Sequence, residues 1–361
     1  MSFQQGLSGL NASSKSLEVI GNNVANAGTV GFKQSQAQFA DVYASSLTGA
    51  GSSNIGIGTK VAQVTQQFTQ GNITASNNPL DIAINGGGFF RLSNNGTVTY
   101  SRNGQFQLDK SGYIVNSNGS RLTGYTVNAA GVLSTGAPAD LMINTADIAP
   151  KVTTTANAVL NLNSGSVIPT TTPFSISDPT SYNNATSVSV FDSLGNAHTL
   201  QTFYVKTAAN TWDVYASSDG VAIGAAAVGN LVFGTDGALV SGSPVAISVP
   251  ASTGATTPFT VNMDYAGTTQ YGSTFSVNSM KQDGYTSGKL NGFNTSADGT
   301  IVGRYTNGQS AVLGQVVLSS FTNPNGLQPL GNNVWAETAT SGQPLVGTPG
   351  SGPLGVLQSS A

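Results

Sequence analysis

At 361 residues the chain is long enough for roughly two or three domains. Only 7% of its residues are charged, against about 25% in an ordinary globular protein, so hydroxyls, amides and 45 glycines must solvate its surface. A net charge of −3 without a Lys/Arg cluster argues against nucleic acid, and the absence of cysteine excludes disulfides and thiolate metal sites. The single histidine, His198, leaves little material for a metal site or a general base. It reads as an ordinary strand residue within 196–205. No catalytic residue, cofactor or metal is expected. A surface so poor in charge lacks the repulsion that keeps most proteins monomeric. It suits either packing against copies of itself or a secreted β-protein.

The N-terminus carries no basic residue before Lys15 and no continuous apolar run, so it does not read as a cleaved secretory signal. The most apolar stretch, 221–233, is too short and too rich in glycine for the about 20 residues that span a bilayer. No membrane insertion is expected.

Residues 1–25 have the one helical pattern. Phe3, Leu7, Leu10, Ser14, Leu17, Gly21 and Val24 follow a 4-3-4-3-4-3 spacing that makes a coiled-coil-like seam, and Ile20 widens it. A lone helix of this length is marginal in water, and Gly21 weakens it further. It therefore needs a partner, yet no second amphipathic helix follows, and residues 1–70 are expected to order only on assembly. Gly28 and Gly31 mark a turn after the helix. The segment 26–70 lacks periodicity and is expected as an extended connector, a linker or something ordered by its neighbours.

From residue 71 the pattern becomes β. Leu80, Ile82 and Ile84 alternate with Asp81 and Ala83, and Gly86-Gly-Gly88 breaks the run before Phe89-Phe90. Asn103-Gly104 is a two-residue hairpin signal ahead of Phe106 and Leu108, and 109–112 makes another turn. Longer Thr/Ser-rich strands occupy 148–284. The meander of short strands and turns resumes from Tyr285, with one long strand expected over 311–321. The tail, 342–361, is rich in Gly, Pro and Ser and is expected to lack structure. The acids Asp81, Asp109, Asp192, Asp213 and Asp298 sit at turns or strand edges, where turn chemistry accounts for them better than catalysis. Gly86-Gly-Gly88 reads as a tight turn, since no helix N-terminus or P-loop lysine follows it.

The stretch Gly9 to Asn26, ending Gly21-Asn-Asn-Val-Ala-Asn26, followed by Thr29-Val-Gly-Phe-Lys33, resembles the signature shared by flagellar rod, hook and hook-associated proteins. Pro79-Leu-Asp-Ile-Ala-Ile84, Tyr100-Ser-Arg-Asn-Gly-Gln-Phe106 and Leu122-Thr-Gly-Tyr125 are similar to that family's core domain. Pro173-Phe-Ser-Ile-Ser-Asp178, Val190-Phe-Asp-Ser-Leu-Gly-Asn-Ala-His198, Leu313-Gly-Gln-Val-Val-Leu318 and Asn332-Asn-Val-Trp335 resemble hook proteins in particular.

The expected fold is mainly β: two β-domains, one inserted in the other, with an N-terminal amphipathic α-helix and an extended connector. The expected parts are an inner-tube helix at 1–25, a connector at 26–70, a core β-domain at 71–147 plus 285–361, and an outer β-domain at 148–284. The resemblance implies a non-enzymatic subunit of the bacterial flagellar hook, a homopolymer of many copies forming a flexible curved tube between motor and filament. It implies an extracellular place reached without a cleaved signal peptide. It further implies rod and hook-filament junction proteins at the ends, and the hook cap and flagellar export apparatus as partners during assembly. Phe3, Leu7, Leu10, Leu17, Ile20 and Val24 are the expected polymerisation seam, and Asn26, Thr29, Gly31, Phe32 and Lys33 the connector motif. Hook proteins are expected to end in a second long helix that pairs with the first, beginning where this chain stops at Ala361. The alternatives are a secreted β-rich surface adhesin, or a distal-rod or hook-associated protein of the same family.

Overall fold

A computed structural model describes residues 2–42, 56–128, 131–251 and 254–361. The chain is mainly β, with one long helix, α1 (Ser2–Ala25), at its start. It divides into two units. The first contains 1–145, 291–304 and 310–361; the second contains 146–290 and 305–309.

The extended connector is ordered by pairing within itself. It holds an antiparallel pair, β1 (Ser35–Val42) and β2 (Gly58–Gln66), running from Ser35 opposite Gln66 to Val42 opposite Gly58 with a register shift between Gln38 and Phe39; the middle of the expected connector, 43–55, lies outside the described residues. Periodicity misses this pair because polar pairs, Gln36 with Thr65 and Gln38 with Gln63, are interleaved with the apolar pairs Ala37 with Val64 and Phe39 with Val61. Gln63 Nε2 donates to Gln38 Oε1 at 3.1 Å, and Gln67 Nε2 donates to Gln36 Oε1 at 3.0 Å. The register shift between Gln38 and Phe39 then breaks the period-2 signal that the few apolar residues would write.

Most of the rest of the first unit is an antiparallel sheet. Along its main path the strands Leu290–Thr295, Thr300–Tyr305, Ser310–Val316, Arg121–Thr126, Phe89–Asn94, Thr97–Ser101, Val334–Ala336 and Gln328–Gly331 are neighbours in that order. Two local expectations fail here. Asn103-Gly104 does not close a hairpin, because Thr97–Ser101 pairs with Phe89–Asn94 and Val334–Ala336, while Phe106–Leu108 pairs with Ile114–Asn116. The hairpin turn is Asn95-Gly96, with Asn94 opposite Thr97. The tail is also not without structure: Leu345–Gly347 pairs with Leu318–Ser320, and Val356–Ser359 pairs with Ile82–Asn85. Leu354 and Leu357 are buried by this return. It explains the three glycines, which allow a close backbone approach and not merely a turn. A Cβ on Gly87 would lie 2.6 Å from Pro353 O, and one on Gly86 3.0 Å from Gly355 Cα. The long strand expected over 311–321 is split at Val317 into Ser310–Val316 and Leu318–Ser320.

Phe89, Tyr100, Phe321, Leu327 and Trp335 form one buried cluster of this unit. Its ring pairs are edge-on, with Tyr100 and Phe321 centroids 4.7 Å apart and Phe89 and Trp335 centroids 5.9 Å apart.

The second unit has two sheets sharing a single core. One orders Val245–Val249, Phe259–Asp264, Thr155–Asn161 and Ser276–Gln282; the other orders Asn184–Phe191, Ala197–Ala208, Thr211–Ser218, Gly229–Phe233 and Leu239–Ser241. Leu160, Leu200, Trp212, Leu231, Ile247 and Val261 are all fully buried between them. The Trp212 indole N–H donates to Gln270 Oε1 at 2.8 Å, so the largest core side chain leaves no unmet donor.

Turns throughout are closed by short polar side chains. Carboxylate or amide oxygens of Asp109, Asn116, Asp178, Asp236 and Asp298 each accept the backbone N–H two residues on, at 2.8–3.1 Å. Asp213 differs: it lies within a strand and accepts from Asn230 Nδ2 at 2.7 Å. Asp109, Asp178, Asp236 and Asp298 thus serve as turn caps, while Glu18, Asp140, Asp192, Asp219 and Asp283 face basic side chains.

Candidate assembly interface

α1 has an intrachain partner after all, but it meets that partner with its polar side. Gln5 Nε2 donates to Gly56 O at 2.7 Å. Ser8 Oγ accepts the N–H of Thr59 at 3.3 Å. Asn23 makes a reciprocal pair with the backbone of Ser35, donating at 2.8 Å and accepting at 2.9 Å. The helix is therefore pinned to β1 and β2 at both ends by amides and a hydroxyl.

The apolar stripe consequently points away from its own chain. Phe3 is 81% exposed, Leu10 71%, Leu17 67% and Val24 70%, with Leu7 and Ile20 about as open as many surface residues. In an ordinary amphipathic helix this stripe would face the core. Contiguous exposed apolar side chains in a folded chain mark a surface that another molecule covers. No helix among the described residues is long and apolar enough to cross a membrane.

The motif after the helix holds α1 to the core strands. Asn26 Nδ2 donates to Asn22 O at 3.0 Å, and the N–H groups of Thr29 and Phe32 close successive turns onto Asn26 O and Thr29 O. Gly31 sits at φ +78°, and a Cβ there would come within 2.8 Å of the Asn103 backbone. Val30 O accepts Asn333 Nδ2 at 2.8 Å, and Lys33 Nζ donates to Thr69 O at 2.6 Å. The structure thus places the seam residues on one face and the connector-motif residues in one corner beneath its end.

Two features escaped sequence reasoning. Phe68, in the stretch without periodicity, packs edge-on against Phe89 at 5.3 Å and Trp335 at 5.6 Å, anchoring the connector. His198 is no ordinary strand histidine: its Nδ1 lies 2.7 Å from Asp219 Oδ2 and its Nε2 3.3 Å from Asp192 Oδ2. The aspartate six residues before it, in the turn Asp192-Ser-Leu-Gly-Asn196, was the available signal.

Three family models match the chain: the flagella basal body rod protein at 3–33, the flagellar hook protein FlgE/F/G D1 domain at 83–192, and the flagellar basal body protein FlaE D2 domain at 161–285. Helix, corner and β units thus define the class, a structural protein of the flagellar hook and basal body. Along the whole chain it is 45% identical to the flagellar hook protein FlgE of Salmonella typhimurium and 43% identical to that of Escherichia coli K12, covering 89% of each. The solved structure of Helicobacter pylori flagellar hook protein FlgE2 shares the fold, with a TM-score of 0.59 at 13% identity over 79% of this chain and 99% of that one. The chain belongs to the flagellar hook protein FlgE family. Membership decides against the adhesin alternative, and the full-length match decides for hook over rod or hook-associated relatives. As a member of this family it is a structural component of the flagellum, external to the cell.

Proposed function

We propose that copies of this chain polymerise through the outward seam of α1 into the wall of the flagellar hook, a short curved tube that bends as it turns and passes motor torque to the filament. The observation that carries this reading is the inversion of α1: its polar side is spent on its own β1 and β2, leaving Phe3, Leu7, Leu10, Leu17, Ile20 and Val24 uncovered. Burying each would contribute about 1.5–3 kcal/mol as an upper bound, enough in sum to drive association once repeated in every subunit. The connector motif from Asn26 to Lys33 sets the angle at which the helix leaves the core. The β-domains, with the core at 71–147 plus 285–361 and the outer domain at 148–284, form the outer wall, where hydroxyl- and amide-rich surfaces can slide during bending. Such a subunit meets rod and hook-filament junction proteins at the ends of the tube. It meets the export apparatus and the hook cap on its way there, and leaves the cell without a cleaved signal peptide.

The test is assembly of the full-length protein followed by electron microscopy. The double variant Leu10→Asp, Leu17→Asp is expected to stay monomeric. Tubes of normal length from that variant would overturn the reading.

A further inference from the structure

Below the end of α1 lies a cavity of about 630 Å³, lined by the helix-exit turn, by residues 70–74, by Asp81 to Ile84 and by Arg102, Gly104 and Gln105. Two cations line it, and each is poorly satisfied. Lys33 is 9% exposed, and its ammonium, which has three donors, meets a single acceptor, Thr69 O. Arg102 donates from Nη1 to Gly86 O at 2.8 Å and lies over the Phe89 ring at 5.1 Å. Its Nε is sealed from solvent with no acceptor. Neither is in an ion pair among the described residues. The one side-chain carboxylate in the lining, Asp81, is turned to Ser76 Oγ at 2.7 Å and Asn78 Nδ2 at 3.0 Å.

Other cations of the chain fare better. Lys206 has two carbonyls, Ser164 O at 2.6 Å and Ser166 O at 2.9 Å, while Arg121 and Lys151 have Asp140 and Asp283 at 3.0 Å. At Lys33 and Arg102 two like charges are withdrawn from water with no ion-pair partner among the described residues, Ala361 of the same lining included, which is costly until an anion arrives. Burial first, and then the neighbouring Arg102 charge, brings the Lys33 ammonium down to about 8; burial brings Arg102 down to about 10.

We propose that this cavity takes a carboxylate side chain from a second copy of the chain, held between Lys33 and Arg102. The inference rests on the assembly reading above. In a polymer of one protein the available side-chain anions are Asp and Glu, and the chain has 15 of them against 12 basic residues. A planar carboxylate can bridge an ammonium and the free edge of a guanidinium through charge-assisted hydrogen bonds. The cavity also adjoins the foot of α1, whose seam is the proposed contact, so a neighbour covering the seam brings its surface to this opening.

The test has two arms. In the monomer, acylation of Lys33 is followed against pH by mass spectrometry, in sodium acetate and in sodium chloride of matched ionic strength. Acetate is expected to raise the midpoint for Lys33 and leave Lys15 and Lys60 unmoved; equal midpoints in both salts would overturn the anion site. In the polymer, made from an equal mixture of isotopically light and heavy subunits, the Lys33 midpoint is expected to rise by about one unit or more. A carbodiimide is expected to join Lys33 to an acidic residue in peptides of mixed isotope. Plain burial would lower the midpoint instead, and joins confined to one isotope would place the carboxylate in the same chain; either result overturns the second copy. Failure to polymerise at all would overturn the assembly reading and the second copy with it, while the acetate arm still decides the anion site.

Discussion

The Trp335 indole N–H donates to Gln66 Oε1 at 2.7 Å, joining two residues 269 positions apart in sequence. Gln66 ends β2, and Phe68, two residues on, packs against the Trp335 and Phe89 rings. The support of α1 is therefore fastened to the core through one aromatic cluster. Trp335→Ala is expected to destabilise the first unit by roughly 3–5 kcal/mol in a thermal or urea melt. Phe68→Ala, at the edge of the cluster, is expected to leave that melt nearly unchanged while making 34–70 markedly more sensitive to limited proteolysis. Equal effects of the two on the melt would show that the connector is part of the core and not fastened to it.

Gly31 holds the second fastening. At φ +78° an L side chain costs about 1–2 kcal/mol, and here its Cβ would also press on the Asn103 backbone at 2.8 Å. Gly31→Ala is expected to cost at least that much and to loosen the foot of α1, read as faster amide exchange from Thr29 to Lys33. A variant with unchanged exchange would mean that the corner can reopen without loss.

His198 makes the second unit pH-sensitive. Each carboxylate beside it can only accept, so both ring nitrogens must donate and the folded state prefers the imidazolium. Burial works against that charge, but the bonds to Asp219 and Asp192 outweigh it and hold the histidine above its ordinary value. A raised value gives stability that is fully present below the unfolded histidine pKa of about 6.5 and is lost as pH climbs through the folded value. Asp219 is held below the usual carboxylate range, chiefly by its bond to His198, so its share fades in acid. The unit is therefore expected to melt higher near about pH 6 than near about pH 8.5. In His198→Gln that difference should vanish, with a loss of about 2–3 kcal/mol at the lower pH. Parallel pH profiles for the two proteins would refute the arrangement.

The α1 seam predicts a separation of stability from assembly. Because Leu10 and Leu17 touch little in the monomer, Leu10→Asp with Leu17→Asp is expected to shift the melt of either β unit by no more than about 0.5 kcal/mol. Asn23→Ala acts in the opposite way. It is expected to raise amide exchange across the last turns of α1 in the monomer, because it removes both bonds to Ser35 while leaving the seam chemistry intact. An unchanged exchange pattern in Asn23→Ala would show that the helix does not depend on β1 for its place.

The one-dimensional pattern was sufficient for the seam, because a helix writes its faces at fixed spacing whatever it packs against. It was sufficient too for the β character of the rest and for acids such as Asp109 and Asp298 as turn caps, since both are local. What covers a face is not local. Nothing in residues 1–66 says that Gln5, Ser8 and Asn23, and not Leu10 and Leu17, would be turned toward β1 and β2, because that choice depends on backbone groups brought in from as far as Gly56 and Thr59. The pairing of β1 with β2, the return of the tail across Gly86 to Gly88 and the approach of Asp219 to His198 have the same cause. Each is fixed by contacts between distant segments, in which hydrogen bonds and close backbone approach replace the apolar periodicity that a sequence displays.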